Sequence, residues 1–186
     1  PDVLASAQID HCDRYDFDGV YISSDNVIMY EALGGKIMYP DENSYPFWTT
    51  PVITDSRDLA HLRVPDPSRA GRMPVIIEAA CIATERVGDR RYVLANIDSG
   101  PFNLACTLME MANALVYLKD KPDDLRAIME FCSEVTIAYG IGMAKSGCHG
   151  IQFGESVVSL LGRKLFEELV WPYDLYVINE MKKTGV

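Results

Sequence analysis

Apolar residues recur along this chain with two periods, and the switching between them predicts a repeating helix and strand unit. Between Val3 and Tyr15, Ile9 and Cys12 stand three apart, the spacing of one helix face, and the segment delivers the chain into Asp18-Gly19-Val20-Tyr21-Ile22. That run is apolar at most positions, which predicts a parallel strand buried on both faces. A helical turn from Val27 to Leu33 is stopped by Gly34-Gly35, and an extended stretch from Lys36 to Tyr39 ends at Pro40. Pro74 opens and Gly88 closes the next helix. The second strand lies within Arg90 to Ile97. Asn103 to Leu118 is apolar nearly all round and predicts one well-buried helix. Pro122 and the acids Asp120, Asp123 and Asp124 start another, with negative charge at its positive end. Leu125, Ile128, Met129, Cys132, Val135, Tyr139 and Met143 follow at helical spacing, Gly147 ends the helix, and Gly150 to Phe153 is the third strand. Leu165 to Lys183 is a final helix stopped by Gly185.

Helix, glycine, strand, repeated, is the pattern of an α/β fold with a parallel sheet. Each strand ends in small polar or acidic residues: Ser23-Ser24-Asp25, Asp98-Ser99-Gly100-Pro101 and Gly154-Glu155-Ser156. In a (β/α)8 barrel the loops after the strands carry the chemistry, so the pattern predicts an enzyme. A whole barrel takes about 250 residues; three legible strands in 186 predict a single domain, residues 1–186, forming the N-terminal half of one. Pro1 in place of an initiator Met, and a stop one residue after Gly185, predict truncation at both ends and an inactive fragment. The stretch from Asp41 to Arg72, rich in Pro, Asp, Ser and Thr around Trp48, is long for a strand-to-helix connection and predicts a functional loop or one wrapping the barrel mouth.

Composition narrows the function classes. Hydrophobic residues make up 48% with mean hydropathy near zero. No apolar run approaches the ~18 residues of a membrane span, and no signal-peptide pattern opens the chain, so no membrane partner is expected. A net charge of -10 and a pI near 4.7 argue against nucleic acid, whose binding rests on Lys and Arg neutralising phosphates. Cys12, Cys81, Cys106, Cys132 and Cys148 are scattered and never form a CxxC pair, which predicts neither disulfides nor a zinc knuckle and suits a reducing cytoplasm. Unpaired strand edges of a half barrel would invite association with a second copy.

Four ordered stretches, "DGVYISSDNVIMYEALGGKIMYPDE", "SGPFNLA", "YGIGMAKSGCHGIQFGES" and "LFEELVWPYDLYVINEMKKTG", resemble the uroporphyrinogen decarboxylase superfamily over essentially the whole chain. That superfamily has a TIM-barrel fold and includes the decarboxylases of haem (porphyrin) biosynthesis, which are lyases without a cofactor. It also includes zinc-dependent methyltransferases that exchange methyl groups between corrinoid proteins and thiols. "VPDPSRAGRMPVIIEA" and "GDRRYVLANIDSGPFNLA" resemble the methyltransferase branch, with Phe102-Asn103-Leu104 where decarboxylases have an aromatic-Thr-Leu turn. The resemblance therefore implies zinc and a corrinoid on a partner protein as cofactors, with zinc ligands beyond Val186 and none within this chain. Decarboxylation of a tetrapyrrole is the alternative reading. A scaffold that binds a corrinoid or tetrapyrrole without catalysis is another.

The resemblance gives Asp25 the place of the decarboxylases' central carboxylate, which gathers pyrrole N–H groups and stabilises a cationic intermediate. Read from position alone, Asp25 equally caps the helical turn at Val27. Tyr139 matches a tyrosine near that carboxylate, or is a packed core residue. Ser156 matches a serine on a substrate carboxylate; Glu155 beside it could be an acid/base or orient a metal ligand, and either could instead be an N-cap. Gly100 and Phe102 shape the turn Ser99-Gly100-Pro101-Phe102, either to let backbone approach a ligand or to make a tight strand-to-helix turn. His11, His61 and His149 lie away from the strand ends that carry chemistry, and Cys148 with His149 alone would not complete a zinc site.

Overall fold

The computed structural model describes residues 1–186. Helix α1 (Asp2–Tyr15) ends in a left-handed Asp16 and leads into β1 (Gly19–Ile22), then α2 (Ile28–Ala32). A short hairpin of β2 (Ile37–Met38) and β3 (Phe47–Trp48) precedes a 3-10 turn over Ser56–His61 and α3 (Met73–Val87). Strand β4 (Tyr92–Ser99) is followed by α4 (Pro101–Met109), α5 (Met111–Asp120) and α6 (Pro122–Ala144). Strand β5 (Gly150–Gly154) leads through a 3-10 turn to α7 (Arg163–Leu165), a π-helical turn (Phe166–Val170) and α8 (Trp171–Lys182).

Strands β1, β4 and β5 form one parallel sheet with β4 in the middle, Gly19 pairing Tyr92 and Leu94 pairing Gly150. Alternate residues Val93, Ala95 and Ile97 are fully buried beneath the helices. The other face carries Tyr21, Leu94 and Asn96, and Tyr21 is exposed, so β1 is buried on one face rather than on both as its composition predicts. The two faces differ because α1, α3 and α6 pack on one side of the sheet only. The result is part of a (β/α) barrel.

Two helix predictions change. The apolar segment after β4 is two helices, broken at Glu110, whose φ of 67° and ψ of 131° no helix can contain; α5 then turns outward and exposes Met111 and Val116. Such a backbone is nearly exclusive to glycine and costs on the order of 1–3 kcal/mol for other residues. Glu110→Gly is therefore expected to raise stability by about 1 kcal/mol, measured by urea unfolding; no gain would mean the kink is not strained. Second, α6 is long and apolar enough, by length and composition, to cross a membrane. Charged Asp123, Asp124, Arg126, Glu130 and Glu134 interrupt its sequence run, while its buried side packs on the sheet, α4 and α8 as the central core helix.

The stretch from Asp41 to Arg72 folds back over α2 and α4. Tyr30, fully buried in α2, donates its hydroxyl to the Thr50 carbonyl at 2.5 Å, and the Val52 and Ile53 N–H groups share the Leu108 carbonyl that the end of α4 leaves free. Asp55 and Asp58 form a reciprocal capping box on the 3-10 turn. These ties fix the middle of the excursion, and its end is held by Arg72, which donates to Glu31 of α2.

Candidate active site at the strand ends

The carboxyl ends of β1 and β4 bring together Asp25 and Asp98 with Arg72 and Tyr139, and Glu155 follows β5. Asp25 follows β1 and is almost wholly buried. Its Oδ2 accepts from Arg72 Nη1 at 2.6 Å and its Oδ1 from Arg72 Nη2 at 3.2 Å, a forked pair. The same guanidinium donates through Nε to Glu31 of α2 at 2.6 Å. Asp25 Oδ1 also accepts from the Val27 N–H and Oδ2 from the Ser24 hydroxyl. Asp25 thus tethers the start of α2, as its position after β1 predicts. Arg72, held between two carboxylates that outweigh its partial burial, is driven further toward the charged form.

Asp98 sits where β4 bulges. Asn96 pairs Gln152 but Ser99 pairs Gly154, so β4 spends one residue more than β5 over this interval, and Asp98 takes a left-handed φ of 73°. Bulges of this kind re-aim a side chain. The Asn96 side chain accepts from the Asp98 N–H at 3.1 Å and donates to the Ser23 hydroxyl, joining the ends of β1 and β4. Burial, and then the charge of Asp25, push the Asp98 carboxyl up to about 7, against which a hydrogen bond from Ser99 pulls it down. The two aspartates therefore differ: one is fixed by a cation, the other is poised to exchange a proton near neutrality. Tyr139, buried in α6, lies within reach of both charges; burial first, then Asp98 and Asp25, raise its hydroxyl well above the ordinary phenol range.

The predicted turn residues are placed differently. Phe102 is fully buried in the core, and it is its backbone N–H that serves the site, donating to Glu155 at 2.8 Å. Glu155 also accepts from the Asn103 N–H at 2.9 Å, so its carboxylate caps α4 across 52 residues of chain. Gly100 has an ordinary φ of -75°; what the turn needs is its missing Cβ, because any Cβ there would overlap the Glu155 carboxylate. The space over Gly100 is taken by protein, not left for a ligand. Ser156 is exposed and accepts from the Asn103 side chain at 3.1 Å. Asp174 of α8 completes this second cluster against Glu155.

Arg72, Asn96 and Asp174 were not singled out by the sequence reading. Arg72 lies 47 residues from Asp25 at the end of an irregular stretch, where spacing carries no signal. Cys148 and His149 lie at the opposite end of the sheet, where the His149 ring accepts from the Val93 N–H. All five cysteines are unpaired, and the chain has no group of three or more His, Cys, Asp or Glu side chains able to hold a metal ion. These residues do not by themselves fit a zinc site. The larger cavities of the chain lie between helices, α3 with α6 and α6 with α8, away from the strand ends.

Comparison with known proteins agrees with this architecture. The chain is 25% identical to uroporphyrinogen decarboxylase of Mus musculus over 98% of its own length and 50% of the relative's. It is 24% identical to the enzyme of that name from Syntrophotalea carbinolica, over 100% and 54%, and 24% to that of Homo sapiens, over 98% and 50%. The chain thus spans about half the length of the curated relatives it matches. A solved methyltransferase from Methanosarcina mazei superposes with a TM-score of 0.85 at 22% identity, over 97% of this chain and 54% of that one, a likeness of fold. The family model described as uroporphyrinogen decarboxylase (URO-D) matches residues 1–186. With strands, helices and strand-end acids in the arrangement described, the chain belongs to the uroporphyrinogen decarboxylase family.

Proposed function

We propose that this chain is part of a methyltransferase of the superfamily, one that in its full-length form uses zinc and a corrinoid-bearing partner to move a methyl group to or from a thiol. The observation that carries the reading is the forked Arg72–Asp25 pair. A carboxylate that gathers pyrrole N–H groups and steadies a cationic ring needs free oxygens and an uncompensated charge. Here both oxygens of Asp25 are already occupied by Arg72, Ser24 and the Val27 N–H, and a guanidinium shared with Glu31 lies directly on its charge. The methyltransferase-like wording of residues 64–79 and 88–105 supports the same reading.

In this reading Asp25 and Arg72 are a rigid floor and Asp98 is the group that accepts or returns a proton at the acceptor thiol. Zinc, when bound to the full-length enzyme, supplies thiol activation by lowering the thiol pKa; residues 1–186 offer no ligand set for it, and no step of theirs is routed through it. The test is to purify the full-length protein without chelator, measure zinc, and assay methyl transfer and uroporphyrinogen decarboxylation side by side. About one zinc per chain, lost on cysteine alkylation, with methyl transfer and no decarboxylation, is the expected result. Decarboxylation that is abolished in Asp25→Asn overturns it in favour of the decarboxylase. Neither activity, with a corrinoid or tetrapyrrole still bound, would make the protein a carrier.

A further inference from the structure

We propose that Glu155 and Asp174 hold one proton between them and form a latch that fastens the loop after β5 and the start of α4 to α8. The inference goes beyond the methyltransferase reading and is independent of it. Its basis is geometric. Glu155 satisfies two N–H groups of the first turn of α4, those of Phe102 and Asn103, which the helix cannot satisfy itself. Its carboxylate is held in the space over Gly100 that a Cβ would fill. Asp174 stands in the first turn of α8, is 5% exposed, and reaches Glu155 with its carboxyl group. Its Oδ1 is buried and has no hydrogen-bond partner among ordinary donors.

Two ionised carboxylates in that contact would repel each other across a poorly solvated gap, and the buried oxygen would keep an unmatched charge. One shared proton removes both penalties, because it turns the contact into a charge-assisted O–H···O hydrogen bond. The Phe102 and Asn103 N–H groups steady the charge of Glu155 alone, and no cation is bonded to either carboxyl group. Cys106 of α4 and Cys132 of α6 face Glu155, and both are buried thiols that burial, and then its charge, keep protonated. Burial raises both carboxyl groups, and the charge of Asp174 raises Glu155 further, so the proton is retained into the neutral range. When it leaves, the loop after β5 and α8 are pushed apart.

The experiment is a carboxyl 13C and amide 15N NMR titration of the protein, wild type beside Asp174→Asn and Glu155→Gln. Expected in the wild type are two coupled steps, the upper one well above the ordinary carboxylate range and accompanied by shifts of the Phe102 and Asn103 amides. Asn at position 174 offers a permanent N–H donor, so in Asp174→Asn the upper step disappears and those amides become insensitive to pH through neutrality. Glu155→Gln leaves Asp174 to titrate in a single step. Two ordinary carboxylate titrations in the wild type, or an upper step that survives Asp174→Asn, would overturn the latch. Should a variant fail to fold, the wild-type titration alone decides.

Discussion

Arg72→Met is expected to destabilise the protein by about 3–5 kcal/mol, the cost of stranding buried charge when one partner of an ion pair is removed. The guanidinium is the cation to which both Asp25, 5% exposed in its side chain, and Glu31 are bonded, at 2.6 Å each. Removing it leaves two carboxylates near each other with little solvent. Arg72→Lys is expected to recover only part of the loss, because an ammonium cannot span the fork on Asp25 and the Nε contact to Glu31 together. Adding Asp25→Asn to Arg72→Met should restore much of the stability, since the deeper of the two stranded charges is then gone. Urea midpoints with unchanged slopes measure all three. A loss under about 1 kcal/mol for Arg72→Met would show that the pair is solvated like a surface salt bridge and that Asp25 is free to take another partner.

Asp98→Asn in the full-length enzyme is expected to slow turnover by about two to four orders of magnitude, the range for loss of a positioned acid or base. It should also flatten the limb of the pH–rate profile centred near 7, where Asp98 exchanges its proton. Asn tolerates the left-handed backbone that position 98 requires, so the fold should survive. Stability gives a second readout whose sign follows from linkage. The folded-state value is raised above that of an unfolded aspartate, so between about 4 and about 7 the native state binds the extra proton, and stability falls as pH rises across that window. Asp98→Asn should remove that fall. Turnover and pH profile both unchanged would mean that Asp98 only shapes the bulge.

The order of elements was legible because each rests on local physics. Pro74 just inside α3 and Gly88 just past it, the acids opening α6, and Gly147 before β5 act within a turn or two of themselves, and the helices and strands fall where they point. The break at Glu110 was not legible: every residue around it is compatible with one helix, and the chain turns where α4 lies on α6 and its Leu108 carbonyl accepts from the Val52 and Ile53 N–H groups. The hairpin at Ile37 and Phe47 is equally hidden, two residues a side being too short for any periodic signal.

For the site, the sequence by itself determined which groups reach the strand ends. Asp25, Asp98, Glu155 and Ser156 stand at the ends of three strands, and strand direction alone puts them at one end of a parallel sheet. What each group does was decided by tertiary structure. Asp25 is forked by Arg72, 47 residues away; Asp98 is pushed up to about 7 by burial, and then by the charge of Asp25, where β4 bulges; Glu155 caps α4 because Gly100 leaves it room. A carboxylate's role is set by the few charges and donors within about 4–6 Å of it, and those neighbours are assembled by contacts that no local pattern in the chain records.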